Sequence, residues 1–141
     1  MKIALIYPPT ADPTAPYLSV PALTGYLRSK GVDVLPIDAN IECYDLLLRS
    51  ESLRQTARQI DRRLARLKKK PFLDHTEQMA CVTLSRATEV ARGLPDNIED
   101  AVAVMRDRSG KRFFDPVSYE TAVGVIESAL EMISEIGRAH V

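Results

Sequence analysis

The sequence predicts an α/β chain: an opening β-α-β unit followed by a mostly helical segment of about five further helices. Three observations carry this reading. Lys2 to Tyr7 is a largely apolar run closed by prolines, which suits a strand buried on both faces. Between Ser19 and Gly31 the apolar residues recur at helical spacing, and Val34 to Ile37 then forms a second short apolar run. Beyond Asn40 the apolar spacing is helical to the end, with no further strand-like run.

In chain order, Pro8 and Pro9 end the first strand, because proline donates no N–H to a ladder and restricts the residue before it. The Pro8–Pro16 loop holds four prolines and is expected to be stiff and extended. Ser19 is expected to cap the first helix, with Pro21 in its first turn and Val20, Leu23 and Leu27 on its inner face. Gly31 closes that helix through a left-handed C-cap. Two strands joined by a helix are expected to be parallel, and ligands of doubly wound sheets sit beyond the strand ends, here at the Pro8–Tyr17 loop.

A short helix from Asn40 to Arg49 is expected to turn Ile41, Tyr44, Leu47 and Leu48 to one side. Ser50 then caps a helix over Glu51–Lys69, whose Leu53, Ala57, Ile60, Leu64 and Leu67 follow a seven-residue repeat that calls for another helix. Pro71 ends it. A helix from Asp74 to Arg92 presents small residues, Ala80, Thr83, Ala87 and Ala91. After Gly93–Pro95 a fourth helix starts near Asp96 or Asn97 and turns Ile98, Ala101, Val102 and Met105 inward, and Ser109–Gly110 ends it. Phe113–Pro116 forms a turn. The last helix, Ser118–Ser134, carries a stripe of Tyr119, Ala122, Val123, Ile126, Leu130 and Ile133.

The chain has 141 residues, 45% hydrophobic and 27% charged, enough for one domain with a core. Its formal net charge is zero, so whole-molecule attraction to nucleic acid or membrane is not expected. Ile3–Tyr7 is too short for a signal peptide, and no run approaches the roughly 20 apolar residues of a membrane span. Cys43 and Cys81 form no metal spacing and are expected to be reduced packing residues, in keeping with a cytoplasmic chain. There is no G-x-G-x-x-G, no G-x-x-x-x-G-K, no H-E-x-x-H and no C-x-x-x-C-x-x-C. His75 reads as a solvated or capping residue.

Charge is unevenly placed. Glu51–Lys70 carries eight Lys or Arg against two acids, about +6, and residues 71–141 carry about −5. The plain reading is a solvated face complemented by acidic neighbours. The sharper one is an interaction module that uses the basic helix on RNA or an acidic partner, and the run has no interleaved aromatics to support stacking.

Two motifs carry a resemblance. Pro8, Pro9, Asp12, Pro13, Pro16, Tyr17 and Leu18 fit a PP-x-x-DP-x-x-PYL loop after a first strand, and Asp38, Asn40, Tyr44, Asp45 and Leu47 fit D-x-N-x-x-x-YD-x-L after a second. Together they resemble the amino terminus of cobalamin-binding radical S-adenosylmethionine proteins, and Phe113–Ser134 resembles a helix that follows in that family. The resemblance implies a Rossmann-like domain that holds cobalamin, and a downstream barrel with a [4Fe–4S] cluster and S-adenosylmethionine for radical methylation or rearrangement. The cluster-binding cysteines are absent here, so this polypeptide is not expected to be catalytic by itself. Related cobalamin domains carry a cobalt-ligating histidine in D-x-H-x-x-G, whereas the Pro8–Tyr17 loop has neither histidine nor glycine, so any cobalamin bound here is expected to lack a histidine ligand from that loop.

With the ligand position beyond the strand ends, the resemblance makes Pro9, Thr10, Asp12, Tyr17 and Asn40 the candidate cofactor-binding residues. Tyr17 would lay its ring on an apolar face, and Asn40 would hydrogen-bond a propionamide. The competing reading is that Asp12 and Asn40 cap turns and Tyr17 is core. An α/β module for another small ligand at the same loop is a further alternative.

The carboxyl-terminal EIGRAHV resembles the conceptual translation of a sequencing adapter. The expected layout is therefore a β-α-β unit over 1–49, a helical segment of the same domain over 50–134, an artefactual tail over 135–141, and a fragment of a longer enzyme. A two-stranded parallel sheet leaning on helices is expected, with the helices from Glu51 to Ser109 less firmly anchored, and with weak cobalamin binding and a tendency to associate.

Overall fold

The computed structural model describes residues 2–8 and 18–138, with side chains as far as Ile136. Among them are six helices and one sheet of two parallel strands, a mixed α/β chain that is mostly helical. The chain divides into two compact units, Met1–Leu47 and Leu48–Val141.

The first unit contains β1 (Lys2–Tyr7), α1 (Ser19–Ser29), β2 (Asp33–Asp38) and α2 (Ala39–Leu47). The strands run parallel in a register that pairs Lys2 with Asp33 and Tyr7 with Asp38. Helix α1 lies against both strands, and α2 lies against β1. Arg28 Nη2 ties α1 to β2 by donating to the Val34 carbonyl at 3.1 Å.

Cover on both faces of β1 was the sequence expectation, yet no β1 residue is buried. Side chains alternate across a sheet. Ile3, Leu5 and Tyr7 share a half-covered face with buried Val34. Ala4, Ile6 and Leu35 share the other, where Ile6 is 59% and Leu35 62% exposed. Of the two faces, the one shared with Val34 is the better covered. Pro36 lies within β2 and donates no ladder hydrogen bond, as befits a strand with an open edge.

Helix α1 begins at Ser19, but Leu18 is its N-cap and no side chain caps it, so Ser19 is the first helical residue and not the cap. Its inner face is Val20, Thr24 and Leu27; Leu23 is 49% exposed. Gly31 closes the helix as expected. Its φ of 74° lies in the left-handed region. Val32 N–H donates to Leu27 O at 3.1 Å and Gly31 N–H to Arg28 O at 3.0 Å, the paired bonds of a Schellman motif.

Thr24 is 5% exposed, and its hydroxyl has no hydrogen-bond partner among the described residues. A buried hydroxyl without a partner is a net cost, and valine has the same branched shape without it. Thr24→Val is therefore expected to raise stability by about 1 kcal/mol in urea unfolding. A loss of stability would mean that the hydroxyl finds a partner in solution.

The second unit contains α3 (Ser50–Lys68), α4 (His75–Val90), α5 (Leu94–Met105) and α6 (Pro116–Arg138). Helix α3 packs against α4, α5 and α6, and α6 also packs on α4 and α5. Of the seven-residue repeat of α3, Leu53, Ile60, Leu64 and Leu67 are buried and Ala57 is half-buried. Leu53, Ile60, Leu84, Ile98 and Met132 are the large side chains most fully enclosed. The helices from Glu51 to Ser109 are thus well anchored, contrary to expectation. Their apolar faces meet one another, so the thinly covered part is the β-α-β unit.

Several local expectations shift. Ser50 does not cap α3; Arg49 is the N-cap, and Ser50 Oγ donates to the Pro95 carbonyl, joining α3 to α5. Asp74 caps α4 in a reciprocal box, accepting from Glu77 N–H at 2.8 Å while Glu77 accepts from Asp74 N–H at 3.3 Å. Leu84 and Ala87 are the buried residues of α4; Thr83 is exposed and bonds back to Met79 and Ala80 carbonyls. Helix α5 begins at Leu94, earlier than expected, because proline is tolerated in a first turn, and it buries Leu94 and Val104 with Ile98 and Ala101. In α6 the most buried residues are Ala122, Ile126, Ala129 and Met132, a face turned from the expected stripe. Helix α6 begins at Pro116, with Asp115 accepting from Ser118 N–H at 2.9 Å, and continues beyond Ser134 to Arg138.

The turn between α5 and α6 is organised by carboxylates. Asp107 accepts from Ser109 Oγ at 2.7 Å and from the N–H groups of Ser109 and Arg112. Asp100 accepts from Arg112 Nη2 at 2.7 Å. Hydrogen bonds hold three carboxyls below their usual range: from Arg112 for Asp100, chiefly from Ser109 for Asp107, and from Ser118 for Asp115. Each binds its proton less readily folded than unfolded, so its stabilisation is present above the ordinary carboxylate pKa, about 3.9. It is lost as pH falls through the lowered folded value. The edge-to-face contact of Tyr119 with Phe113, at 5.4 Å, reports on this turn. The Tyr119 ring resonance is expected to stay constant from pH 7 to about 4.5 and to shift below about pH 4. Asp107→Asn should flatten part of that shift; a turn unchanged at pH 2 would contradict it.

Candidate functional site

The candidate site is the carboxyl end of the two-stranded sheet. Tyr7 and Asp38 are the last register partners, so both strands finish side by side. Pro8 leaves one strand end and α2 leaves the other directly. Asp38 Oδ1 accepts the Ile41 N–H at 3.1 Å, which makes Asp38 the N-terminal cap of α2. The cap fixes the angle at which the chain leaves β2 and therefore where Asn40 stands.

Asn40 is 4% exposed and is engaged in interactions within the structure. It is a polar group set behind the surface of the sheet end. Pro9, Thr10, Asp12 and Tyr17 lie outside the described residues, so Asn40 is the one candidate whose placement is described. Sequence reasoning passed over Asp38 as a structural residue. The signal was available: an Asp at a strand end, directly before a helix, is a cap.

Elsewhere the described residues carry little chemistry. No group of three or more His, Cys, Asp or Glu among them is placed to hold a metal ion. Cys43 on α2 and Cys81 on α4 are half-buried free thiols. His75 is exposed at the first position of α4. A small groove between α4 and α6 is bordered by Thr83, Arg86, Glu131 and Met132, with Arg86 and Glu131 3.6 Å apart. No helix among the described residues is long and apolar enough to cross a membrane.

Compared with protein-family models, with curated proteins and with solved structures, the chain matches none.

Proposed function

We propose that the β-α-β unit is part of a Rossmann-like cobalamin-binding domain of a radical S-adenosylmethionine enzyme. One observation carries this reading. The proline-rich motif that opens at Pro8 and the D-x-N motif at Asp38–Asn40 lie about 30 residues apart in sequence. The parallel register of Tyr7 with Asp38 brings their starting points to neighbouring strand ends. Two motifs that meet at one sheet end are what a shared ligand requires, and the carboxyl end is where doubly wound sheets bind theirs.

The residues at that end fit an amide-bearing cofactor in kind. Asp38 sets the start of α2 and Asn40 supplies a buried amide close behind it. Pro9, Thr10, Asp12 and Tyr17 would form the rest of the wall. Neither Pro8–Leu18 nor Asp38–Ile41 contains a histidine, so cobalt would take no histidine ligand from this end of the sheet. When bound, cobalamin would supply the cobalt centre for a methyl transfer or a rearrangement. The [4Fe–4S] cluster and S-adenosylmethionine would belong to a downstream domain, because this chain has no C-x-x-x-C-x-x-C. Its own residues bind and orient.

The test is co-elution of hydroxocobalamin with the 141-residue chain. Weak, saturable binding is expected, with a perturbed visible spectrum that Asn40→Ala diminishes. An unperturbed spectrum, with all cobalamin in the small-molecule fractions, would contradict the reading.

A further inference from the structure

We propose that the solvent-facing side of α3 binds single-stranded nucleic acid through its phosphate backbone. The inner side of α3 is fixed by buried Leu53, Ile60, Leu64 and Leu67. At about 100° per residue, Arg58, Arg62, Arg66 and Lys69 fall within about 80° of one another on the opposite side. They span about 16 Å of helix, with neighbours in the row roughly 5–6 Å apart. All four are exposed.

Part of the basic run is used by the fold. Arg54 pairs with Asp96, Arg58 with Glu51 and Lys70 with Glu77. Arg62, Arg63, Arg66, Lys68 and Lys69 have no acidic partner among the described residues. Cations in the last turn of a helix answer its dipole, which accounts for Arg66, Lys68 and Lys69. It does not account for Arg62 and Arg63, well before that turn. Arg58, Arg62 and Arg66 also stand at successive i,i+4 positions, where like charges destabilise a helix. Arg62, flanked on its face by Arg58 and Arg66, is thus the cation of the row that neither an acid nor the helix dipole accounts for.

The side chains favour phosphate. Guanidinium groups bind phosphate oxygens bidentately, and three of the four in the row are arginine. Phe72 favours a nucleic acid over an acidic polypeptide. It is 77% exposed and only three residues beyond Lys69, so it lies within about 11 Å of the row's end. An aromatic ring at the end of a basic track is a platform for a base, and an acidic peptide has no base to stack. The aromatic absent from within the basic run is thus supplied just past it. The neutral net charge means that attraction is confined to this face.

Fluorescence anisotropy of labelled U12 and dT12 with the whole chain tests this. Three or four phosphate contacts give a slope of log affinity against log salt of about −2 to −3. The variant Arg62→Gln/Arg66→Gln/Lys69→Gln is expected to lose about two units of that slope. Its affinity at 50 mM salt is expected to fall at least tenfold, with helicity unchanged because the positions are exposed. Should the triple variant fold poorly, Arg62→Gln alone is expected to lower the slope by about 0.7. Phe72→Ala is expected to weaken binding by between about fivefold and a hundredfold at unchanged slope. A slope near zero, equal binding by wild type and charge variants, or tighter binding of polyglutamate than of U12 would overturn the proposal.

Discussion

Leu84→Ala is expected to destabilise the helical unit by about 2–5 kcal/mol, while Thr83→Ala, its neighbour on the same helix, changes stability by less than about 0.5 kcal/mol. Leu84 is fully buried on α4. Truncating it removes apolar contact and leaves a cavity that packed helices only partly refill. Thr83 is exposed, and its hydroxyl bonds only to carbonyls of its own helix. Urea unfolding followed by circular dichroism separates the two. Equal losses would place Thr83 in the core and turn α4 about its axis.

Gly31→Ala is expected to cost the β-α-β unit about 1–2 kcal/mol. At φ 74° any residue with a Cβ is strained. A Cβ there meets nothing within 4 Å, so the whole cost is conformational. The amide of Val32, which donates to Leu27 across the cap, reports it. Its hydrogen exchange should quicken about 5- to 30-fold, the factor that corresponds to that energy. The effect weighs more here than in the helical unit, because this unit buries few large side chains. An unchanged exchange rate would mean that the cap does not limit opening.

What the sequence made legible follows from how local each cause is. The limits of β1, the Gly31 cap and the buried face of α3 depend on residues within one element, and each was readable. The parallel pairing was readable because a helix crossover leaves few alternatives. Helix rotation was less readable. In α4 the alternation of small residues with Leu84 left two faces of similar hydropathy, and contact with α3 and α6 chose between them. The start of α5 was missed because Pro95 reads as a break when it is in fact a first-turn residue. Cover for β1 was misjudged because a run's apolarity does not say which neighbours arrive. Ser19 and Ser50 look like caps, but the residue before each takes that place. Of the candidate site, the meeting of Tyr7 and Asp38 at the strand ends follows from the parallel register, and Asp38 was noted as a motif match although its place before a helix also marked it as the cap that sets Asn40.

Under the proposed function, a cofactor meets the chain at the carboxyl end of β1 and β2. Amide hydrogen exchange with and without saturating hydroxocobalamin tests it most directly. Protection is expected in peptides covering Tyr7–Leu18 and Asp38–Ile41, with α3, α4, α5 and α6 unchanged. Protection confined to the helical unit, or none at either strand end, would contradict it.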